Sequence, residues 1–310
     1  MKQATYNYRI AIAILLLLSP NAKSATCSCA GVSLTNTVNL TQFNAEQWQL
    51  SISFTQSDIS DLVAGTNQIN DETGRFRETD SLILGATYGI NENWALSAIV
   101  SKIEHRRRNA IANQRTETSS GLGDSMLLVS YAPKKISPFN RNEWAYGLAV
   151  RIPTGENDAG KPIIFSEDLQ PGQGAWGESL WLHYGHAFDQ AARWQVYIDA
   201  NYQVNGNNQR DYSFTNEWNL SAGVSYQLSD SWNFKAGVQY RSAVPHTRFG
   251  NNIPNTGGQW VNADIAIDYA INPATHLSLS TIQPLYRDLI GALQFTNKNS
   301  YTLSLSTLIE

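Results

Sequence analysis

From about residue 47 onward, apolar and polar residues alternate with a period of two. That is the spacing of a strand whose two faces meet different media. Trp218, Leu220, Ala222, Val224 and Tyr226 share one face, and after a short break Trp232, Phe234, Ala236, Val238 and Tyr240 share another. Asn, Ser, Gly, Gln and Lys fill the positions between. Twelve runs of this kind are predicted, at about 47–56, 79–89, 94–103, 121–132, 143–152, 177–188, 193–204, 216–228, 232–243, 259–270, 275–285 and 299–309. Connections after odd-numbered runs tend to be long, as in 57–78 and 153–176, and those after even-numbered runs short, as in 90–93, 189–192, 229–231 and 271–274. No linker interrupts the series, so residues 47–310 read as one domain.

Alternation alone fits a soluble sandwich as well as a membrane barrel. Three features favour the barrel. Trp194 and Tyr202, Trp218 and Tyr226, and Trp232 and Tyr240 each stand eight residues apart. Eight steps of about 3.3 Å tilted by about 40° span roughly 20 Å, close to the apolar band of an outer-membrane barrel with an aromatic ring at each interface. Long and short loops alternate and the strand count is even, as such barrels require. The polar face carries few charges, and Asp, Glu, Lys and Arg make up only 15% of the chain, against about 25% in soluble domains. The fold predicted is all-β, a transmembrane antiparallel up-and-down β-barrel of about 12 strands.

The aromatic content (9 Trp, 14 Tyr, 10 Phe) supplies the interfacial rings. Mean hydropathy is −0.32. The first residues read as a secretory signal: Lys2 and Arg9, then the apolar Ile10–Leu18, then Ala22–Ser24 as a cleavage site, giving a signal peptide over 1–24 and a periplasmic leader over 25–46. Nine apolar residues are too few for a spanning helix, which needs about 20. Loss of Lys2, Arg9 and Lys23 takes the formal charge from −4 to −7, which argues against nucleic acid as a partner. Cys27 and Cys29 form a Cys-x-Cys pair that either holds a soft metal or is an oxidised or unpaired thiol pair in the leader, the latter being the plainer reading. No cofactor motif occurs: the glycines match no phosphate-cradling spacing.

Two short segments carry a family likeness. Gly121-Leu122-Gly123-Asp124 opens a strand, and Pro153-Thr154-Gly155 closes one before a long loop. Over roughly residues 120–245 the chain resembles the outer-membrane barrel family of the meta-pathway of phenol degradation. The resemblance implies a transporter or channel for small organic solutes, aromatic or hydrophobic ones included, in the outer membrane of a Gram-negative cell. It also implies membrane lipid, lipopolysaccharide and the barrel assembly machinery as partners. Such barrels usually finish on an aromatic residue; this chain reads Ser306–Glu310 there.

Inward positions line any path through the barrel. By parity the lumen or selectivity candidates are Arg151, His183, Asp199, Glu217, Lys235, Arg241 and Asp264. Turn lengths set Asn219 opposite Arg241, with Glu217 on the diagonal, and His183 opposite Asp199. Facing charges either form a constriction that selects by size and sign or fill the interior as a structural ladder. Glu104–Asn109 is a basic cluster in a predicted outer loop, suited to lipid phosphates or merely solvated. Two other functions stay open: a closed, partner-binding barrel without conductance, and a lipid hydrolase. For the second, His276 and Ser278 share a strand face, but parity turns that face into the lumen and no Gly-x-Ser-x-Gly elbow occurs. The reading is a passive channel rather than an enzyme.

Overall fold

A computed structural model describes residues 43–72, 74–108, 115–137 and 139–309. The segment expected to be a signal peptide (1–24) and most of the expected leader (25–46), with both cysteines, lie outside the described residues. Twelve strands make the body: β1 (Trp48–Asp58), β2 (Phe76–Gly89), β3 (Trp94–Arg108), β4 (Ser125–Lys134), β5 (Asn142–Ile152), β6 (Gly177–Ala187), β7 (Trp194–Asn205), β8 (Glu217–Gln227), β9 (Trp232–Ala243), β10 (Gly258–Asn272), β11 (Thr275–Thr296) and β12 (Asn299–Ile309). Each pairs antiparallel with its sequence neighbours, and β12 pairs back onto β1 from Trp48↔Ile309 to Asp58↔Asn299. This is a closed up-and-down barrel. Closure follows from the medium, because a backbone N–H or C=O left unpaired in hydrocarbon costs several kcal/mol.

The period-two pattern is inverted relative to a soluble protein. On β1, Trp48, Leu50, Ile52 and Phe54 are exposed, while Ser53, Thr55 and Ser57 are buried in the lumen. The same holds round the wall, where Leu82 and Leu84 on β2 and Leu180 and Leu182 on β6 face outward. At the short-turn end, Trp and Tyr stack across strand pairs: Trp48–Tyr88, Trp94–Tyr131, Trp144–Tyr184, Trp194–Tyr226 and Trp232–Tyr269, with ring centroids 4.4–5.0 Å apart. Tyr202–Trp218 stacks at the long-loop end at 4.4 Å. Tyr240 faces outward, opposite Leu220 and Val261. The closing seam is zipped on its inner side by hydroxyl pairs, Ser53–Ser304 (2.8 Å), Thr55–Thr302 (2.9 Å) and Ser57–Ser300 (2.9 Å).

Strand ends at the long-loop side differ from the sequence reading. β3 continues to Arg108, so Glu104–Arg108 is strand rather than loop, paired with the short strand Thr116–Leu122 and with β2. β11 runs on to Thr296 and pairs there with the short strand Asp61–Gly65. Above the bilayer both faces of a strand meet water, so alternation fades although the ladder continues. The run predicted at 121–132 is two strands, Thr116–Leu122 and β4, joined by a kink at Gly123–Asp124.

Candidate functional site: the lumen and its outer mouth

The inner surface falls into three sectors. Across β11, β12, β1 and β2 it is a wall of serine and threonine, including the seam hydroxyls and Thr79, which bonds His105 Nδ1 at 2.9 Å. Across β2 to β6 an apolar cluster dominates, set among buried serines: Ile83, Ile99, Met126, Leu128 and Trp181 pack together with four small alanines. Phe43, just ahead of β1, joins this cluster; Lys135 Nζ stands 3.9 Å from its ring and donates to its carbonyl at 2.7 Å. Across β7 to β10 the wall is charged and amide-bearing. The sequence reading expected a polar lumen throughout. It missed the apolar sector because Met126-Leu127-Leu128-Val129 is apolar on both faces and shows no alternation.

The seven candidate lumen residues separate into pairs with different partners. His183 Nδ1 lies 2.7 Å from Asp199 Oδ1 and its Nε2 3.1 Å from Glu143 Oε1, so the imidazole bridges three strands. Arg241 Nε is 2.9 Å from Glu217 Oε1 and its guanidinium stacks on Trp260 at 4.2 Å. Lys235 Nζ meets Asp268 Oδ2 at 2.9 Å. Asp264 accepts a hydrogen bond from Tyr197 Oη at 3.4 Å. Tyr197 reaches it from β7 by lying flat across Gly223 and Gly237. A Cβ on Gly223 would stand 2.4 Å from Tyr197 Oη, and one on Gly237 2.8 Å from it. Arg151 is buried at the outer end, bonded to Asn205 Oδ1 and 3.9 Å from Asp124 Oδ2. Ser278 Oγ donates to Asp268 Oδ1 at 2.7 Å, so its hydroxyl is engaged with a carboxylate rather than with His276.

Asp124 explains the two family-like segments: they are halves of one latch. Its carboxylate accepts the backbone N–H of Gly155 (3.0 Å) and of Gln173 (2.9 Å), and so ties both ends of the 153–176 connection to the kink before β4. Thr154 Oγ1 bonds Ser125 N (3.0 Å) and Oγ (2.7 Å). Gly155 and Gly172 cross backbone to backbone, and a Cβ on either would fall within 2.7 Å of the other's Cα. The loop is thereby folded over the mouth and presents the short 3-10 turn Glu167–Leu169 inward.

That turn meets the barrel through ion pairs. Asp168 Oδ2 is 2.9 Å from Arg77 Nη1 and 3.3 Å from Arg107 Nη1. Withdrawal from solvent would raise the Asp168 pKa, but Arg77 and Arg107 outweigh it and hold the carboxyl below its usual range. Arg107 also binds Glu117 at 2.7 Å, and Arg210 binds Glu167 at 2.6 Å. Arg106, the outward member of the basic cluster, faces Asp80 (2.7 Å), Glu78 (3.5 Å) and Glu104 (3.8 Å), which neutralise it locally. His246, in the connection after β9, is pushed down to about 4 by burial and then by Arg241, and is neutral at physiological pH.

Between the folded loop, the connections after β7 and β9 and the extended end of β11 lies a cavity of about 600 Å³. Arg241, Trp260 and Asn262 line it from inward positions of β9 and β10, so it is the outer end of the lumen. None of the 153–176 contacts was legible beforehand. Asp168 and Arg77 are 91 positions apart, and no local pattern joins them.

Known structures share this architecture. The COG4313 outer membrane channel from Pseudomonas putida F1 superposes with a TM-score of 0.70 at 12% identity, covering 87% of this chain and 98% of that one. The β domain of the Bordetella autotransporter BrkA superposes at 0.50 with 9% identity, covering 85% and 100%. The CymD monoaromatic hydrocarbon channel superposes at 0.45 with 10% identity, covering 94% and 95%. No curated protein matches the chain. The first of these likenesses carries the fold, a closed barrel of the outer-membrane type, and the lipid-facing belt places this chain in that membrane. A family model covers residues 33–284, four-fifths of the chain and both halves of the Asp124 latch, and by it the protein belongs to the family described as "Putative MetA-pathway of phenol degradation".

Proposed function

We propose that the protein is a passive outer-membrane channel for small organic solutes with apolar or aromatic bodies. The observation that carries this reading is the mouth cavity of about 600 Å³ at the outer end of the lumen. A solute with a ring and a polar group meets both kinds of surface there, Phe214, Trp260 and Phe295 beside arginines and amides, while the apolar cluster of β2 to β6 packs inside the barrel. A structural barrel needs no cavity of that size at its mouth. Selection falls at two levels: the Asp168–Arg77–Arg107 contact under the folded loop, and the polar narrowing made by His183–Asp199, Glu217–Arg241, Lys235 and Asp264. Arg151 positions the latch. The chemistry asked of these groups is binding and exclusion, with no bond made or broken. The naming of the COG4313 protein as an outer membrane channel is in keeping with this reading.

Purified protein in planar bilayers tests it. Discrete single-channel steps are expected. Asp168→Asn removes a negative charge from the mouth while keeping its size, so the reversal potential in a salt gradient should shift toward anions. A silent bilayer from correctly folded protein would defeat the channel. The closed reading would then gain support from Phe43, which is 3% exposed against the apolar sector.

A further inference from the structure

We propose that the outer-mouth cavity is a binding subsite for small aromatic anions, aromatic carboxylates being the class. This deepens the channel reading and rests on it only for the direction of travel. Five arginines line the cavity, Arg77, Arg107, Arg210, Arg241 and Arg248, against two carboxylates, Glu167 and Asp168. Four of the five are held in place by acids: Asp168 holds Arg77 and Arg107, Glu167 holds Arg210, and Glu217 holds Arg241. Arg248 has no carboxylate within 4 Å among the described residues; its guanidinium lies 5.6 Å from the Phe249 ring at the exposed side. Opposite polarity is thus available to an incoming anion without breaking an internal pair.

His246 adds a polar group. Its side chain is 4% exposed and lines the cavity, and its Nδ1, enclosed within the fold, has no hydrogen-bond partner among the described residues. A turn of the neutral imidazole brings an N–H to a carboxylate oxygen in the cavity.

Aromatic rings also line the cavity, among amides, hydroxyls and aliphatic side chains. Tyr212 and Phe214 pack edge to face at 4.5 Å, and His246 touches both rings. Trp260 carries the stacked Arg241, and Phe295 closes the β11 side. A hydrated inorganic anion gains nothing from these surfaces, and a cation is repelled by the arginines. A neutral aromatic leaves Arg248 and His246 unused. A ring bearing one carboxylate satisfies both kinds of surface, and the volume is within the range of about 300–1,000 Å³ usual for small-molecule sites.

Isothermal titration of the detergent-purified full chain, with empty micelles as baseline, tests this with three probes: phenylacetate, acetate and benzyl alcohol. Phenylacetate should bind at least about tenfold tighter than either control, since each lacks one half of the recognition. Arg248→Gln, at an exposed position whose loss leaves the barrel intact, should weaken phenylacetate by about five- to tenfold, and Arg248→Lys should keep most of the affinity. Equal affinity for the three probes, or an unchanged constant in Arg248→Gln, overturns the subsite. Conductance separates this from the wider reading: steps without a preference for phenylacetate sink the subsite and leave the channel, and preferential binding without steps sinks the channel and leaves the subsite.

Discussion

The outer surface of this barrel repeats itself strand by strand, and the inner surface does not. Outside, five strand pairs in succession carry a Trp–Tyr stack at the short-turn end, and Leu, Ile, Val and Phe fill the belt above it. Inside, a hydroxyl seam, an apolar cluster and a charged wall occupy different arcs, and a loop anchored by Asp124 fills part of the mouth. The bilayer asks the same of every strand, so one rule is applied twelve times. Inside, each inward residue answers to what faces it across the barrel. Tolerance to substitution should follow the same division.

The largest effect is expected from placing a charge in the apolar sector. Leu128 is fully buried among Ile99, Met126 and Trp181. Leu128→Asp leaves a carboxyl without a partner there, at a cost of several kcal/mol. The folded, heat-modifiable band on a gel should be lost or its transition lowered by more than 10 °C, on the order of 2–4 °C per kcal/mol for a chain of this size. Leu127→Ile, one residue away on the lipid face, should cost less than about 1.5 kcal/mol. Equal behaviour of the two variants would mean that the inner sector is not packed.

A smaller effect is expected from pH at the mouth. His246 has a folded-state pKa of about 4, below its ordinary 6.5, because burial and Arg241 disfavour its charged form; Glu217 and Asp168 act in the opposite sense. A depressed histidine leaves the folded state binding fewer protons than the unfolded one. Its contribution is therefore complete above pH 6.5 and is lost as pH falls from 6.5 to 4. Hydrogen-exchange protection in the 244–257 connection, taken relative to the intrinsic rate at each pH, should fall over that window, and His246→Phe should flatten the change. Protection that does not vary with pH in the unmodified protein would count against the buried placement.

Legibility divides along the same line as tolerance. Twelve strands, their parity and the pairing of His183 with Asp199 and of Asn219 with Arg241 could be read from alternation and turn length, because both are local. Gly223 and Gly237 looked like neutral small residues on a polar face; their reason is Tyr197, which crosses them from another strand. Asp124 stood in a noted motif, yet its partners Gly155 and Gln173 are 31 and 49 positions away. Phe43 and Lys135, joined 92 positions apart, lay in segments without alternation. Contacts across the lumen leave no periodic trace in the chain.

The smallest effect tests the regularity of the outer face where it lapses. By the rule of the other five strand pairs, β11 and β12 should carry a sixth Trp–Tyr stack. At that register stand Thr275 and Thr307, directly opposite one another with their hydroxyls 3.0 Å apart. An aromatic pair at an interface contributes about 0.5–1.5 kcal/mol beyond its area, comparable to the hydroxyl contact it would replace, and the added ring area tips the balance. Thr275→Trp combined with Thr307→Tyr should therefore raise the heat-modifiable transition by a few degrees, and the double change should exceed the sum of the two single ones. Coupling of zero or opposite sign would show that this height on the last strand pair does not answer to the interface as the other five do. The gap in the ring would then have its cause on the inner side, where Ser278 and Asp268 already tie β11 to β10.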